Sequence, residues 1–272
     1  MARNIALGVA DERSLGVVDT HAIALAQLML PDFEKQRPID PRCEPSPVVV
    51  IPLSLHMGVA WSLLPALATR PVTVAPTLRH WISHAGDGQS IGDVALIEGV
   101  QLAGSEIADV ADVWATRSPA VLHEAMVADT LDALQRVDLI HLACHGSRRA
   151  RDGRFAQLKM ADGDLVSFEL ERLTRTPRVV VLAACEAGLL EPLPGDEAAG
   201  IATALFGATT ATVVAPVVVV PDTSLTHKIF VDVHRFMSRG LSPSEALFAA
   251  QSLRTDPAER VIARSISCFG RG

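Results

Sequence analysis

Two stretches of the chain decide its fold: VDLIHLACHG at residues 137–146 and RVVVLAACEAG at residues 178–188. Each contains an apolar, mostly branched run that ends in small and chemically reactive residues. Continuous apolar runs of this length are typical of strands covered on both faces, as in a parallel sheet between helices. The two stretches therefore predict parallel strands with His145 and Cys185 at their carboxyl ends, where the functional groups of open α/β sheets collect.

Four more runs of the same character predict further strands. They are Val48–Leu53, Val72–Ala75, Asp93–Ile97 and Ala211–Val220. Apolar residues at helical spacing lie between the runs and predict helices around Leu102–Trp114, Leu131–Leu134, Leu225–Phe236 and Ser242–Leu253. The last of these opens on a capping box of Ser242 and Glu245. The alternation predicts an α/β fold with a mostly parallel sheet flanked by helices on both faces.

One segment interrupts this alternation. Residues 155–168 contain two short strand patterns about Asp162-Gly163, a pair typical of a hairpin turn. Residues 1–45 have weak periodicity and end in a proline-rich stretch, so we interpret them as an N-terminal extension. Residues 46–272 are then the main domain. Cys268 falls in a segment that we expect to be a loose tail.

The composition narrows the class of protein. Of the 272 residues, 49% are hydrophobic and 20% charged, which excludes a disordered chain. The net charge of -7 argues against a nucleic-acid partner. Two uncharged stretches, 48–68 and 199–220, each contain proline and divide more naturally into a buried strand and a buried helix. We therefore expect no membrane association and a soluble, cytoplasmic protein.

The predicted strand ends bring together a thiol and an imidazole. A thiolate at Cys185 is a nucleophile, and His145 can take its proton or protonate a leaving amine. The N–H groups of Gly146 and Cys185 are candidates for an oxyanion hole. His141 and Cys144 leave a second interpretation open, in which these four residues bind a metal. An α/β hydrolase or acyltransferase predicts a G-x-S-x-G motif, which the sequence lacks.

The stretches IHLACHG and VVVLAACEAG, with the hairpin between them and GDEAAGIATALFGATTATVVAPVVVVPD at 195–222 after them, resemble a CHAT domain. CHAT domains are relatives of caspases and separases, and the resemblance covers about residues 48–253. It implies a caspase-like fold, a catalytic dyad of His145 and Cys185, and no cofactor or metal. His141 and Cys144 match positions that the family does not use for catalysis, so the resemblance implies that they pack within the strand.

The resemblance also suggests a substrate pocket. In the separase branch, an acidic residue in the loop after the next strand receives a basic side chain, and Asp222 stands in the matching place. The family's usual Leu-Trp-Pro-Val-Asp-Asp is Val-Val-Val-Val-Pro-Asp here, at residues 217–222. A competing interpretation makes Asp222 the N-cap of the following helix. Glu186 belongs to an acidic loop after the nucleophile and is the second candidate for substrate binding.

Family members often work beside a sensor or repeat module, and this sequence contains no repeat. The resemblance therefore implies an endopeptidase with a protein substrate and a separate activating or regulatory protein partner. The alternative is a catalytically inactive interaction or scaffolding domain with the same fold. Such domains often lose one member of the catalytic pair, whereas this sequence contains both His145 and Cys185.

Overall fold

The computed structural model describes residues 20–24, 46–53, 56–83, 90–102, 104–148, 156–184, 191–193 and 197–272. The strands in this part of the chain are β1 (Val48–Val50), β2 (Val72–Val74), β3 (Val94–Glu98), β4 (Ala120–Leu122), β5 (Leu139–Ala143), β6 (Gly146–Arg148), β7 (Ala156–Met160), β8 (Gly163–Val166), β9 (Val179–Ala183), β10 (Glu191–Leu193), β11 (Glu197–Ala199), β12 (Thr212–Pro216) and β13 (Ile266–Gly270). The six strands predicted from apolar runs are therefore confirmed, and most are shorter than the runs themselves.

Besides a helical segment at residues 20–24, the α-helices within the same ranges are α1 (Leu78–Ser83), α2 (Ile107–Val113), α3 (Val127–Arg136), α4 (Ser167–Leu170), α5 (Ile201–Gly207), α6 (Ser224–Ser238), α7 (Pro243–Ser252) and α8 (Pro257–Arg264). The capping box predicted for α7 is present, because Ser242 Oγ accepts from the Glu245 N–H and the Glu245 carboxylate accepts from the Ser242 N–H. No helix in the described ranges is long and apolar enough to cross a lipid bilayer.

Eight of the described strands form one sheet, in the order β1-β2-β13-β12-β9-β5-β3-β4. Six of its seven pairings are parallel, and the pairing of β12 with β13 is antiparallel. The sheet thus consists of two blocks of parallel strands that run in opposite directions. One block is β1, β2 and β13, the other contains the remaining five strands, and they meet where β13 pairs with β12. The predicted α/β class with a mostly parallel sheet is confirmed.

Apolar side chains cover both faces of this sheet. One buried cluster contains Ile97, Leu142 and Leu182 from the strands together with Leu134 of α3 and Leu205 of α5. The cluster on the other face contains Leu96 and Val181 from the strands together with Val110 of α2, Ile229 of α6 and Leu247 of α7. This two-faced burial explains why the central strands are continuously apolar.

The register of the central strands aligns their carboxyl ends. Ala143 at the end of β5 pairs with Ala183 at the end of β9, and Glu98 of β3 also pairs with Ala143. These three ends form one edge of the sheet. The chain segments that continue from β5 and β9 therefore start side by side, as the sequence predicts.

The predicted hairpin is part of a small second sheet. Strands β7 and β8 pair antiparallel across the turn Ala161-Asp162, and Gly163, the first residue of β8, has a φ of +155°. Strand β6 pairs with β7 on its other side. Strand β6 begins at Gly146, directly after His145. The hairpin sheet is therefore attached to the end of β5, and it connects the two halves of the predicted site along the chain.

The carboxyl-terminal segment is not a loose tail. Residues 266–270 form β13, which is buried along its whole length between β12 and β2. Cys268 is 1% exposed there, and burial raises the pKa of its thiol to about 12, so this thiol is unreactive. The expectation of a loose tail is wrong. ISCFG is a short run with polar and glycine residues, and its burial depends on strands that are distant in sequence.

Candidate active site

His145 lies two residues beyond the end of β5 and is held by a backbone carbonyl. Its Nε2–H donates to the carbonyl oxygen of Gln101 across 2.8 Å. Gln101 adopts a left-handed backbone conformation with a φ of +60°, which is uncommon for a residue other than glycine. Because a carbonyl can only accept, the proton sits on Nε2, and the Nδ1 of the neutral ring is the nitrogen that can accept a proton.

A pocket opens beside His145 at the carboxyl edge of the sheet. Its wall contains residues from four parts of the chain: the segment before α2, the ends of β5 and β9, and the segment leading into α6. The residues that matter for its chemistry are Glu106, His145, Ala184, Asp222, His227 and Phe230. The structure therefore brings His145 and Asp222 to the same pocket, together with the residue that precedes Cys185.

Asp222 is not the N-cap of α6. Thr223 occupies that position, and the Asp222 carboxylate instead pairs with His227, with 2.7 Å between Oδ1 and Nε2. The Thr226 hydroxyl donates to the Pro221 carbonyl at 2.7 Å and fixes the loop on which Asp222 lies. The capping interpretation is wrong, and the Asp222 carboxylate, with its side chain 32% exposed, remains accessible in the pocket wall.

A chain of hydrogen bonds runs from the core to this pocket, and sequence reasoning missed it. Trp114 Nε1–H donates to Nδ1 of His234 at 3.0 Å, and Nε2 of His234 lies 2.9 Å from Nδ1 of His141. His141 Nε2 in turn lies 3.0 Å from Oε1 of Glu106. His141, which was expected to be a packing residue of the strand, is indeed fully buried, but it packs as part of this polar chain.

The protonation of the two buried rings follows from the direction of the chain. Burial, reinforced by the neighbouring His141, lowers the pKa of His234 well below its ordinary value, so this ring is neutral. His141 uses both ring nitrogens within the protein, on His234 and Glu106. Cys144 is buried in the apolar cluster on the opposite face of the sheet. These contacts account for His141 and Cys144 as structural residues.

Two predicted site residues lie outside the described chain, and a third directly follows His145. Cys185 and Glu186 lie outside the described residues, and Ala184 immediately before them is 2% exposed in the pocket wall. Gly146, the other oxyanion candidate, is the first residue of β6 and is partly exposed. The roles assigned to these residues therefore stay predictions.

Comparison with known proteins assigns the chain to a family. The sequence matches the family model of the CHAT domain over residues 62–263. The chain therefore belongs to the CHAT-domain family, as the sequence motifs indicate. No curated protein matches the sequence.

The fold is shared with separase. Two crystal structures of the Saccharomyces cerevisiae separase–securin complex, at 3.0 and 2.6 Å resolution, superpose with a TM-score of 0.61. The superposition covers 82% of this chain at 13% sequence identity. The chain spans 15% of the length of the chain that it matches in those complexes. At this identity the likeness shows the fold alone, which is the caspase-like α/β fold that the sequence predicts.

Proposed function

We propose that the protein is a caspase-like cysteine endopeptidase in which Cys185 is the nucleophile and His145 the general base. One observation carries the proposal: His145, oriented by the Gln101 carbonyl, lines the same pocket as Ala184, the residue before Cys185. The paired register of Ala143 and Ala183 supports it, because His145 and Cys185 each follow two residues after a paired strand end. A base that is itself oriented by a third group is typical of an activated nucleophile.

The proposed reaction begins when the Cys185 thiol proton passes to Nδ1 of His145. The sulfur then bonds to the carbonyl carbon of the substrate, and the N–H groups of Gly146 and Cys185 donate to the oxyanion. The C–N bond breaks as His145 returns the proton to the leaving amine. Water next attacks the thioester with His145 as base, and its products are a carboxylic acid and the free thiol.

The proposed substrate carries a basic residue before the cleaved bond. Asp222 supplies an accessible carboxylate to the pocket, and Glu186 follows the nucleophile directly. A cationic side chain gains most from carboxylates inside a partly desolvated pocket, where charge pairs are screened less than at the surface. The preference for a basic residue thus rests on Asp222 and Glu186 together.

We further propose that a separate protein partner regulates the site. The separase of similar fold was crystallised as a complex with securin, which makes regulation through a bound protein the natural expectation for this domain. Residues 46–272 would form the peptidase domain and residues 1–45 an extension to it. The net charge of -7 fits a cytoplasmic protein that acts on a protein substrate rather than on nucleic acid.

The choice of nucleophile can be tested by cleavage of a peptide library with three alanine variants. Cys185→Ala is expected to abolish cleavage while the protein stays folded. Cys144→Ala should retain most activity, because that thiol belongs to the packed core, and Cys268→Ala is a matched control for the loss of a buried thiol. Activity lost in Cys144→Ala but kept in Cys185→Ala would overturn the assignment. Wild-type protein that cleaves no peptide would favour the inactive scaffolding domain.

A further inference from the structure

Glu106 is a buried carboxylate in the wall of the pocket. Glu106 is 2% exposed. In the described part of the chain its ion-pair partners are the histidines His141 and His227, and no lysine or arginine pairs with it. An isolated carboxylate is costly to bury, so a protein that keeps one there must stabilise its charge or use it. The hydrogen-bond chain from Trp114 shows how this charge is stabilised.

The direction of that chain can be worked out from its inner end. An indole N–H only donates, so Nδ1 of His234 must accept, and the proton of this neutral ring lies on Nε2. His234 Nε2–H then donates to Nδ1 of His141, whose own proton must lie on Nε2. His141 Nε2–H donates to Glu106 Oε1. Both rings are neutral in this arrangement, and the negative charge at Glu106 is not cancelled within the chain.

The second oxygen of Glu106 faces the pocket residues. Oε2 lies 3.9 Å from Nε2 of His227, and the same nitrogen lies 2.7 Å from Oδ1 of Asp222. One imidazole therefore stands between two carboxylates. The Asp222 side chain is 32% exposed, whereas Glu106 is buried. Water therefore screens the interaction between Glu106 and a charge in the pocket less than it screens that of Asp222.

We propose that Glu106 is a specificity-determining residue, which supplies the pocket with a second, buried negative charge for a lysine or arginine side chain of the substrate. The inference rests on the proposed peptidase function, in which that side chain lies next to the cleaved bond. His227 links Glu106 to Asp222, so the two carboxylates act as one acidic wall. The neutral chain of His141, His234 and Trp114 donates a hydrogen bond to the Glu106 carboxylate and does not cancel its negative charge.

A binding experiment tests this charge without requiring catalysis. In the Cys185→Ala protein, the affinities for Nα-acetyl-arginine amide and for its uncharged isostere, Nα-acetyl-citrulline amide, are compared with and without Glu106→Gln. The amide oxygen still accepts from His141, so the variant removes the charge and keeps the hydrogen bond. We expect the arginine-over-citrulline preference to fall about tenfold or more, because hydrogen-bonded charge pairs are worth more than neutral ones.

Glu98→Gln is the matched control, because Glu98 is likewise a hydrogen-bonded, partly buried carboxylate but does not line the pocket. It should leave the arginine preference unchanged. A merely structural role for Glu106 predicts that both ligands weaken together in Glu106→Gln, and this result overturns the inference. It is also overturned if the parent protein binds the arginine amide no better than the citrulline amide.

A second readout separates this inference from the proposed function. Acyloxymethyl-ketone probes that carry Arg or Leu next to the warhead are used to inactivate the protein with Cys185 intact. If both probes label Cys185 and the Arg-to-Leu ratio of rates is the same in Glu106→Gln, the peptidase proposal stands and the role of Glu106 fails. If arginine amide binding depends on Glu106 while no probe labels Cys185, the acidic pocket stands and the peptidase proposal fails.

Discussion

Trp114 sets the direction of the buried hydrogen-bond chain, because its indole N–H is a donor only. Trp114→Phe keeps an aromatic ring in the core and removes that donor, which leaves the Nδ1 atom of His234 buried without a partner. We expect the free energy of unfolding to fall by about 1–3 kcal/mol, measured by denaturant titration. Trp81→Phe serves as control, since the Trp81 Nε1 atom has no hydrogen-bond partner among the described residues. An equal loss in both variants would argue against the chain.

His234 should make stability depend on pH. Burial lowers the pKa of His234 below its ordinary value in the folded protein, so only the unfolded chain takes up this proton near pH 6. The unfolded state then binds more protons, and the free energy of unfolding decreases as pH falls below about 6.5. His234→Gln, which can still accept from Trp114 and donate to His141, should flatten this slope between pH 7.5 and 5.5. An unchanged slope would show that other groups cause it.

The residues of the site differ in how far the sequence alone could predict them. His145 and Asp222 follow apolar runs directly, and the position of a residue after a strand is readable from the pattern. Glu106 and His234 gave no such signal, because a lone acid before a helix and a histidine within one are usually exposed. Their burial depends on α2 and α6 packing beside β5, which are contacts between residues far apart in sequence.

Gly99, the residue after β3, packs against the end of β5. The Gly99 N–H donates to the Ala143 carbonyl at 2.8 Å, and a Cβ at this position would lie 2.7 Å from the Cβ of Cys144. It would also lie 2.8 Å from the Lys159 carbonyl oxygen, so neither neighbour can yield cheaply. We expect Gly99→Ala to destabilise the protein by about 1–3 kcal/mol and to displace His145, which follows Cys144. Denaturant titration measures the first effect and peptide cleavage the second.

Gly207 is the matched control for this substitution. A Cβ added there meets nothing within 4 Å, and the residue ends helix α5. Gly207→Ala should therefore be neutral or stabilising by up to about 1 kcal/mol, with peptide cleavage unchanged. If Gly99→Ala is as well tolerated as Gly207→Ala, the strand ends are not packed as described.

Elements were predictable where burial is dictated by a long local pattern. Strand β9 is five consecutive apolar residues, three of them β-branched, and this pattern is typical of a strand covered on both faces. The sequence does not predict strands β4 and β13, because three apolar residues, or a run that contains serine and ends in glycine, fit a loop equally well. What makes β13 a strand is its place between β12 and β2, which the local sequence does not contain.

The residues of the proposed site come together only when the whole sheet is folded. Gln101, Glu106, His145 and Asp222 come from three parts of the chain separated by dozens of residues, and they meet at one edge of the sheet. Membership of the CHAT-domain family agrees with the proposed peptidase site at that edge. The proposed selectivity of Cys185 over the other three cysteines is thus a property of the folded protein.

The most direct test is to label the folded protein with an arginine acyloxymethyl-ketone probe and to map the modified peptide. The account predicts a label on Cys185 that is lost in His145→Ala and that spreads over all four cysteines, without preference, when the protein is unfolded. A label on Cys144, or a label on Cys185 that His145→Ala leaves unchanged, would contradict the dyad. The absence of any label on Cys185 in the folded protein, from the Arg probe and from the Leu probe alike, would contradict a peptidase that is active without its partner.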